Sequence, residues 1–163
     1  MKVLFLDYDG VVNTPMWDND GIKCRYNHSG DGYVNNFQAL QWISELCEKY
    51  NYKIVVSSTW RFWDNYIDCL FAGGLREDVE VIGCTPVLRH PNVTRGEEIQ
   101  AWLNEHKDVE KFLIVDDETD MGSLIYALVL CDPEAGFTRR EFRYALQLDK
   151  DWEKIANKRR EKE

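Results

Sequence analysis

Short runs of apolar residues that end in polar residues constrain the fold of this chain most strongly. "KVLFL" (2–6), "KIVVSST" (53–59) and "KFLIVDD" (111–117) share this form, and "VEVIG" (79–83) and "YALVLC" (126–131) are two further runs. Unbroken apolar character over a short run is typical of a strand that is covered on both faces, as in a parallel sheet. The sequence therefore predicts five strands, of which the first three named have the form of strands covered on both faces.

Segments with the period of a helix separate these runs. Apolar residues fall on one face within 37–50 and again within 62–71. "TRGEEIQAWL" (94–103) begins with Thr94 and Glu97 at the spacing of a capping box. The alternation of strands and helices predicts an α/β fold, doubly wound around a mainly parallel five-stranded sheet.

Composition and charge restrict the cellular location and the binding partners that we expect for this protein. The chain has 163 residues, is 44% hydrophobic and carries a net charge of −9, so we expect a globular protein without general attraction to polyanions or anionic membranes. No C-x-x-C pair, signal peptide or membrane span is evident, which favours a reduced, cytoplasmic location. Residues 1–150 are expected to form one catalytic domain, and 151–163 a charged helical tail.

Two pairs of aspartates follow two of the predicted strands. Asp7 and Asp9 lie two residues apart and can point the same way, while Asp116 and Asp117 end another strand. Ligands of open α/β sheets bind beyond the carboxyl ends of the strands, so these carboxylates should meet there. Either pair alone is explained as readily by closing a strand or capping a helix. Both pairs on one sheet favour a Mg²⁺ site built from oxygen ligands.

The polar strand ends carry a resemblance to a known family. "FLDYDGVVNT" (5–14) resembles the first motif of the haloacid dehalogenase-like (HAD) hydrolases. "VVSSTW" (55–60), "TRGEEIQAWL" (94–103) and "FLIVDDE" (112–118) resemble the second, third and fourth motifs in order, and "CDPEAGFT" (131–138) resembles a HAD ending. The resemblance is nearest to the small HAD domain of bacterial and phage chains, including multi-domain RNA-repair proteins.

The resemblance implies roles for the acidic residues. Asp7 is expected to be the nucleophile that attacks phosphorus and becomes an aspartyl phosphate. Asp9 is expected to protonate the leaving oxygen and then to deprotonate water, while Gly10 lets the chain turn away after it and lies close to the substrate. Mg²⁺ would be held by Asp7, the main-chain carbonyl of Asp9 and Asp117, with Asp116 orienting from close by.

The second and third motifs are expected to bind the phosphoryl oxygens. Either Ser57 or Ser58 would donate a hydrogen bond, and Ser58 is preferred because related chains place an apolar residue at the earlier position; Thr59 is expected beside them. Arg95 stands where the family more often has lysine, and its planar, permanently charged fork suits a phosphate. Lys111 is a weaker candidate, because it begins a strand and should lie at the opposite end of the sheet.

Substrate choice is expected to depend on the rim of the site. Trp60 and Arg61 are candidates for contacting the substrate there, and a flap at about 13–34 carries Lys23 and Arg25. Too few residues separate the motifs for a large cap domain, so the site should be open. An open site admits a nucleotide or polynucleotide end, which is the substrate expected here.

The sequence is also compatible with other functions. The substrate could instead be a small metabolite or a phosphoprotein, or the domain could be a non-catalytic HAD-like binding module. A mutase or phosphonatase would normally need a cap. A response-regulator receiver also uses paired aspartates, but that pair follows its first strand, whereas "VDDE" (115–118) follows the fourth here. Oligomerisation is possible.

Overall fold

The computed structural model describes residues 1–15 and 33–160. Its strands are β1 (Lys2–Leu6), β2 (Asn13–Pro15), β3 (Tyr33–Asn35), β4 (Tyr52–Val56), β5 (Val81–Cys84), β6 (Lys111–Asp116) and β7 (Leu128–Leu130). Its helices are α1 (Phe37–Tyr50), α2 (Tyr66–Gly73), α3 (Arg95–Glu105) and α4 (Arg139–Arg160), with 3₁₀ turns at Thr59–Phe62 and Gly122–Ala127. Along these described stretches, no helix is long and apolar enough to cross a membrane.

The main sheet has five parallel strands in the order β5-β4-β1-β6-β7, which confirms the predicted doubly wound α/β fold. β1 lies at the centre and pairs with β4 on one side and β6 on the other. The three strands end level with one another: the Asp7 N–H donates to the Val115 carbonyl at 3.0 Å, and the Ser57 N–H donates to the Leu6 carbonyl at 2.9 Å. Their polar ends therefore lie side by side.

The strand order creates a crevice at the carboxyl ends. The chain runs outward from β1 to β4 and β5, then crosses to the other side of β1 to form β6 and β7. The connections that follow β1 and β6 therefore leave the carboxyl ends of these adjacent strands in opposite directions. This is the topological switch point where α/β proteins bind ligands.

Both faces of the sheet are covered, which explains the unbroken apolar runs. Leu4 and Leu6 pack on the side of α1 and α2, whereas Val3 and Phe5 pack on the side of α3. Side chains alternate between faces along a strand, so each position of β1 needs an apolar residue. The capping box predicted at the start of α3 is present: the side chains of its cap residue and of its third residue bond each other's backbone N–H.

The chain after residue 150 continues a helix of the domain. α4 runs across that position without a break, and the buried Trp152 packs edge-on against Phe112, with ring centroids 5.2 Å apart. Asp149 accepts hydrogen bonds from Lys2 at 3.0 Å and Tyr52 at 2.7 Å, at the amino ends of the strands. The helix therefore packs on the sheet beyond residue 150, where the sequence predicted a separate charged helical tail.

The segments beside the crevice are small. β2 and β3 pair antiparallel at the base of the expected flap; its residues 16–32, with Lys23 and Arg25, lie outside the described residues. Between Ser58 and Arg95 the chain forms a 3₁₀ turn, α2, β5 and a connecting loop. No cap domain is formed in this described interval.

Candidate active site

Three carboxylates meet at the carboxyl ends of β1 and β6. Asp7, Asp116 and Asp117 each place a carboxylate oxygen within 4.8 Å of the others, and we call these residues the acidic cluster. Asp7 and Asp116 are buried and Asp117 is half-buried. A cluster of oxygen ligands without histidine or cysteine suits a hard cation such as Mg²⁺.

Arg95 bridges the two buried members of the acidic cluster. Its Nη2 lies 3.3 Å from Asp7 Oδ1, and its Nε lies 3.3 Å from Asp116 Oδ2. Arg95 is the first residue of α3, and its own N–H donates to the Asp120 carboxylate at 2.8 Å. A Cβ at Gly96 would lie 2.3 Å from the Met121 carbonyl oxygen. This close approach lets the start of α3 carry Arg95 to the cluster.

Burial strongly perturbs the acidic cluster. Burial raises the pKa of Asp7 from 3.8 to about 6, against the opposing effects of Arg95 and the Ser58 hydroxyl. Burial and then the charge of Asp7 raise the pKa of Asp116 to about 8, again opposed by Arg95. Burial also raises the pKa of Asp117. One guanidinium does not offset the negative charge of three ionised carboxylates, so a bound cation would reduce the repulsion among them.

Buried polar atoms without a hydrogen-bond partner also mark this edge of the sheet. Among residues 1–15 and 33–160, they are Asp7 Oδ1, Ser57 Oγ, Arg61 Nε, Thr85 Oγ1 and Asp116 Oδ2. All of them belong to strand ends at the carboxyl edge or to the 3₁₀ turn after β4. An unsatisfied buried polar group is rare in folded proteins and requires an explanation such as a bound ion, water or ligand. The residues therefore fit a cation beside an oxyanion.

Asp9 stands outside the acidic cluster. Its carboxylate is exposed, and both of its oxygens accept from the Trp60 indole N–H at 3.0 Å. Gly10, the next residue, has a φ of +74°. A Cβ at Gly10 would lie 2.3 Å from Asp117 Oδ2. Gly10 therefore permits the turn and the close approach of Asp117.

The second motif places two serines beside Asp7. Ser57 is fully buried. Ser58 is also buried, and its hydroxyl accepts from the Trp60 backbone N–H at 3.3 Å, which caps the 3₁₀ turn. Thr59 is exposed. Both serines remain candidates for the phosphate contact.

Arg61 lies inside the protein, not at the rim where the sequence placed it. Its Nη1 donates to the carbonyls of Ser57 at 2.9 Å and Ser58 at 2.8 Å, and its Nη2 donates to Glu98 Oε2 at 2.6 Å. Only 3% of the Arg61 side chain is exposed. Arg61 thus ties the second motif to α3. The sequence analysis did not identify Glu98 as part of this region. The signal was present, because a carboxylate next to Ile99 on the apolar face of a helix needs a partner.

The aromatic residues in and just after the 3₁₀ turn at Thr59–Phe62 differ in their exposure to solvent. The Trp60 ring is partly buried against Tyr8, with centroids 5.4 Å apart. Phe62 and Trp63 are exposed and supply the aromatic surface of this turn instead. Lys111, as expected, lies at the opposite end of the sheet, where its Nζ donates to the Asp149 carbonyl at 2.7 Å.

The sheet order and the acidic cluster at its switch point define a HAD-like α/β domain. The chain matches one protein family, described as the HAD domain in Swiss Army Knife RNA repair proteins, over residues 3–142. The match extends from β1 into α4 and covers most of the chain, so the chain belongs to this family. Comparison with curated proteins gave no match, and comparison with solved structures also gave none.

Proposed function

We propose that this domain is a Mg²⁺-dependent phosphomonoester hydrolase that works through an aspartyl phosphate on Asp7. The acidic cluster, bridged by Arg95 at the switch point of the sheet, is the observation that carries this proposal. Membership of a HAD family supports it, and the segments that resemble the first, second and fourth motifs lie at the ends of β1, β4 and β6, while the third begins α3. The buried hydroxyls of Ser57 and Thr85, which have no hydrogen-bond partner, lie at the same edge of the sheet and add support.

The proposed metal ligands are the side chains of Asp7 and Asp117 and the main-chain carbonyl of Asp9. Asp116 would orient these ligands from its buried position beside Arg95. Bound Mg²⁺ supplies positive charge where a carboxylate and a phosphate dianion would otherwise repel each other. The positive charge of Arg95 acts in the same direction and also lowers the pKa of Asp7 against the effect of burial, which favours the ionised nucleophile.

The reaction follows from the separate placement of Asp7 and Asp9. A carboxylate oxygen of Asp7 attacks phosphorus, the bond to the leaving oxygen breaks, and Asp9 gives that oxygen its proton. Asp9 then takes a proton from water, whose oxygen attacks the same phosphorus and releases Asp7 and inorganic phosphate. Arg95 and the hydroxyl of Ser57 or Ser58 would bind the equatorial oxygens during both steps.

We propose a phosphate at a nucleotide or polynucleotide end as the substrate. The family is named for RNA repair proteins, and no cap is formed between Ser58 and Arg95 in the described structure. Exposed Phe62 and Trp63 follow the second motif and could stack on a base. The net charge of −9 disfavours non-specific binding along a polyanion, so recognition of a terminus is the better fit.

Hydrolysis of p-nitrophenyl phosphate with and without EDTA tests the reaction. We expect Mg²⁺-dependent turnover that Asp7→Asn abolishes, because the amide cannot attack phosphorus. Asp9→Asn should also fail, since it can neither donate nor accept the proton. Asp108→Asn is the matched control, because this exposed aspartate precedes β6 at the opposite end of the sheet. Full activity in EDTA, or a tenth of wild-type rate in Asp7→Asn, would refute the mechanism.

A further inference from the structure

The carboxylate of Asp9 is held by an aromatic side chain from another strand end. The Trp60 indole N–H lies 3.0 Å from both oxygens of Asp9, and Asn13 Nδ2 donates to Asp9 Oδ1 at 3.2 Å. We propose that Trp60 is the positioning residue that fixes the acid–base carboxylate at the leaving-group side of the site. This inference rests on the function proposed above.

Trp60 is itself held firmly enough to serve this purpose. Its ring packs on Tyr8 with an interplanar angle of 36°, and the Tyr8 hydroxyl donates to the Tyr66 carbonyl at 2.6 Å. The backbone of the turn is capped by Ser58 and tied to α3 by Arg61. The indole N–H therefore presents a donor at a fixed point.

An exposed carboxylate needs such a donor to be useful in catalysis. Asp9 is exposed, and a free side chain would otherwise move among its rotamers. A general acid acts only when its oxygen lies within hydrogen-bond reach of the leaving oxygen. Fixing the carboxylate before substrate binds removes an ordering cost from the reaction. This assigns Trp60 to the phosphoryl-transfer step, a different role from stacking on a substrate base at the rim.

The role predicts a dependence on the leaving group that a purely structural role would not produce. Trp60→Phe keeps a ring against Tyr8 but removes the N–H that orients Asp9. A weakly basic leaving group such as p-nitrophenolate departs with little help from an acid, whereas unsubstituted phenolate needs more. Loss of acid positioning should therefore lower kcat/KM most for the most basic leaving group. Loss of folded protein or of phosphate binding should lower kcat/KM equally for both.

The experiment compares kcat/KM for a series of substituted phenyl phosphates. In Trp60→Phe, we expect kcat/KM for phenyl phosphate to fall about tenfold more than for p-nitrophenyl phosphate, a part of the roughly 10²–10⁴-fold that a general acid supplies. The plot of log kcat/KM against the pKa of the leaving phenol should become steeper. Trp42→Phe is the matched control and should leave the slope unchanged, because Trp42 packs on Phe142 between α1 and α4.

A second measurement reads the contact without turnover. The indole N–H resonance of Trp60, assigned by its loss in Trp60→Phe, should move upfield in Asp9→Ala, while that of Trp42 stays in place. An unchanged Trp60 resonance, or an equal fall of kcat/KM across the series, would overturn this inference alone. A wild-type protein that hydrolyses none of the esters would overturn the proposed function, and the positioning role with it.

Discussion

The buried ion pair between Arg61 and Glu98 should contribute far more to stability than an equally short pair at the surface. The Arg61 and Glu98 side chains are 3% and 11% exposed, and their N···O distance is 2.6 Å. Glu98→Gln would leave the guanidinium buried beside a neutral amide. Removing one partner of a buried pair costs about 3–5 kcal/mol, and the lower figure is expected because the amide oxygen still accepts. For a chain of this size, a cost of about 3 kcal/mol lowers Tm by roughly 6–12 °C.

The chain supplies a matched control for this prediction. Arg76 and Glu48 have the same N···O distance of 2.6 Å, but their side chains are 41% and 25% exposed. Glu48→Gln makes the same chemical change and should cost less than about 1 kcal/mol, because solvent screens an exposed pair. Urea denaturation of both variants gives the two free energies of unfolding. If Glu98→Gln destabilised the protein no more than Glu48→Gln, burial would not govern the strength of this pair.

Three further predictions concern the metal and the substrate. Gly10→Ala should weaken Mg²⁺ binding, measured by calorimetry, because the new Cβ would displace the Asp117 carboxylate. Gly122→Ala is the control and should not weaken binding, because Gly122 has a φ of +53° and a Cβ there would meet open space. Equal Mg²⁺ binding by the two variants would contradict the argument from crowding. Buried carboxyls of the acidic cluster have pKa values raised from 3.8 to about 6 and about 8, so the metal-free folded protein binds more protons than the unfolded chain. The contribution of these groups to stability should therefore be greatest below pH 3.8 and should fall as the pH rises towards 8. Mg²⁺ should accordingly raise Tm more at pH 8 than at pH 5. A larger effect of Mg²⁺ on Tm at pH 5 would refute this prediction. Trp63→Ala should lower kcat/KM for an oligonucleotide end about 5- to 150-fold, the equivalent of about 1–3 kcal/mol of stacking. It should leave kcat/KM for p-nitrophenyl phosphate unchanged. An equal change for both substrates would show that the exposed ring does not stack on a base.

The sequence by itself determined the class of fold and the positions of the four motifs. These features depend on local patterns: apolar runs that are buried on both faces, a helix period of 3.6 residues, and a capping box that spans four residues. The parallel order of the strands then brings Asp7, Ser57 and Asp116 to one edge, because register and strand ends follow from the same apolar runs. The meeting of Asp7 with Asp116 and Asp117 was therefore predictable, whereas the carboxylate of Asp9, which was expected with them, lies outside the acidic cluster.

Only the tertiary structure decided which neighbours of the site face outward. Trp60 and Arg61 are adjacent in the sequence and both were expected at the rim, yet one reaches Asp9 across 51 residues and the other reaches Glu98 across 37. Consecutive side chains of a 3₁₀ turn point in different directions, and the local sequence does not determine which distant group each one will contact. The buried guanidinium is stable there only because α3 brings a carboxylate to it and the second motif offers two carbonyls. Such compensation exists only once the strands and helices have packed.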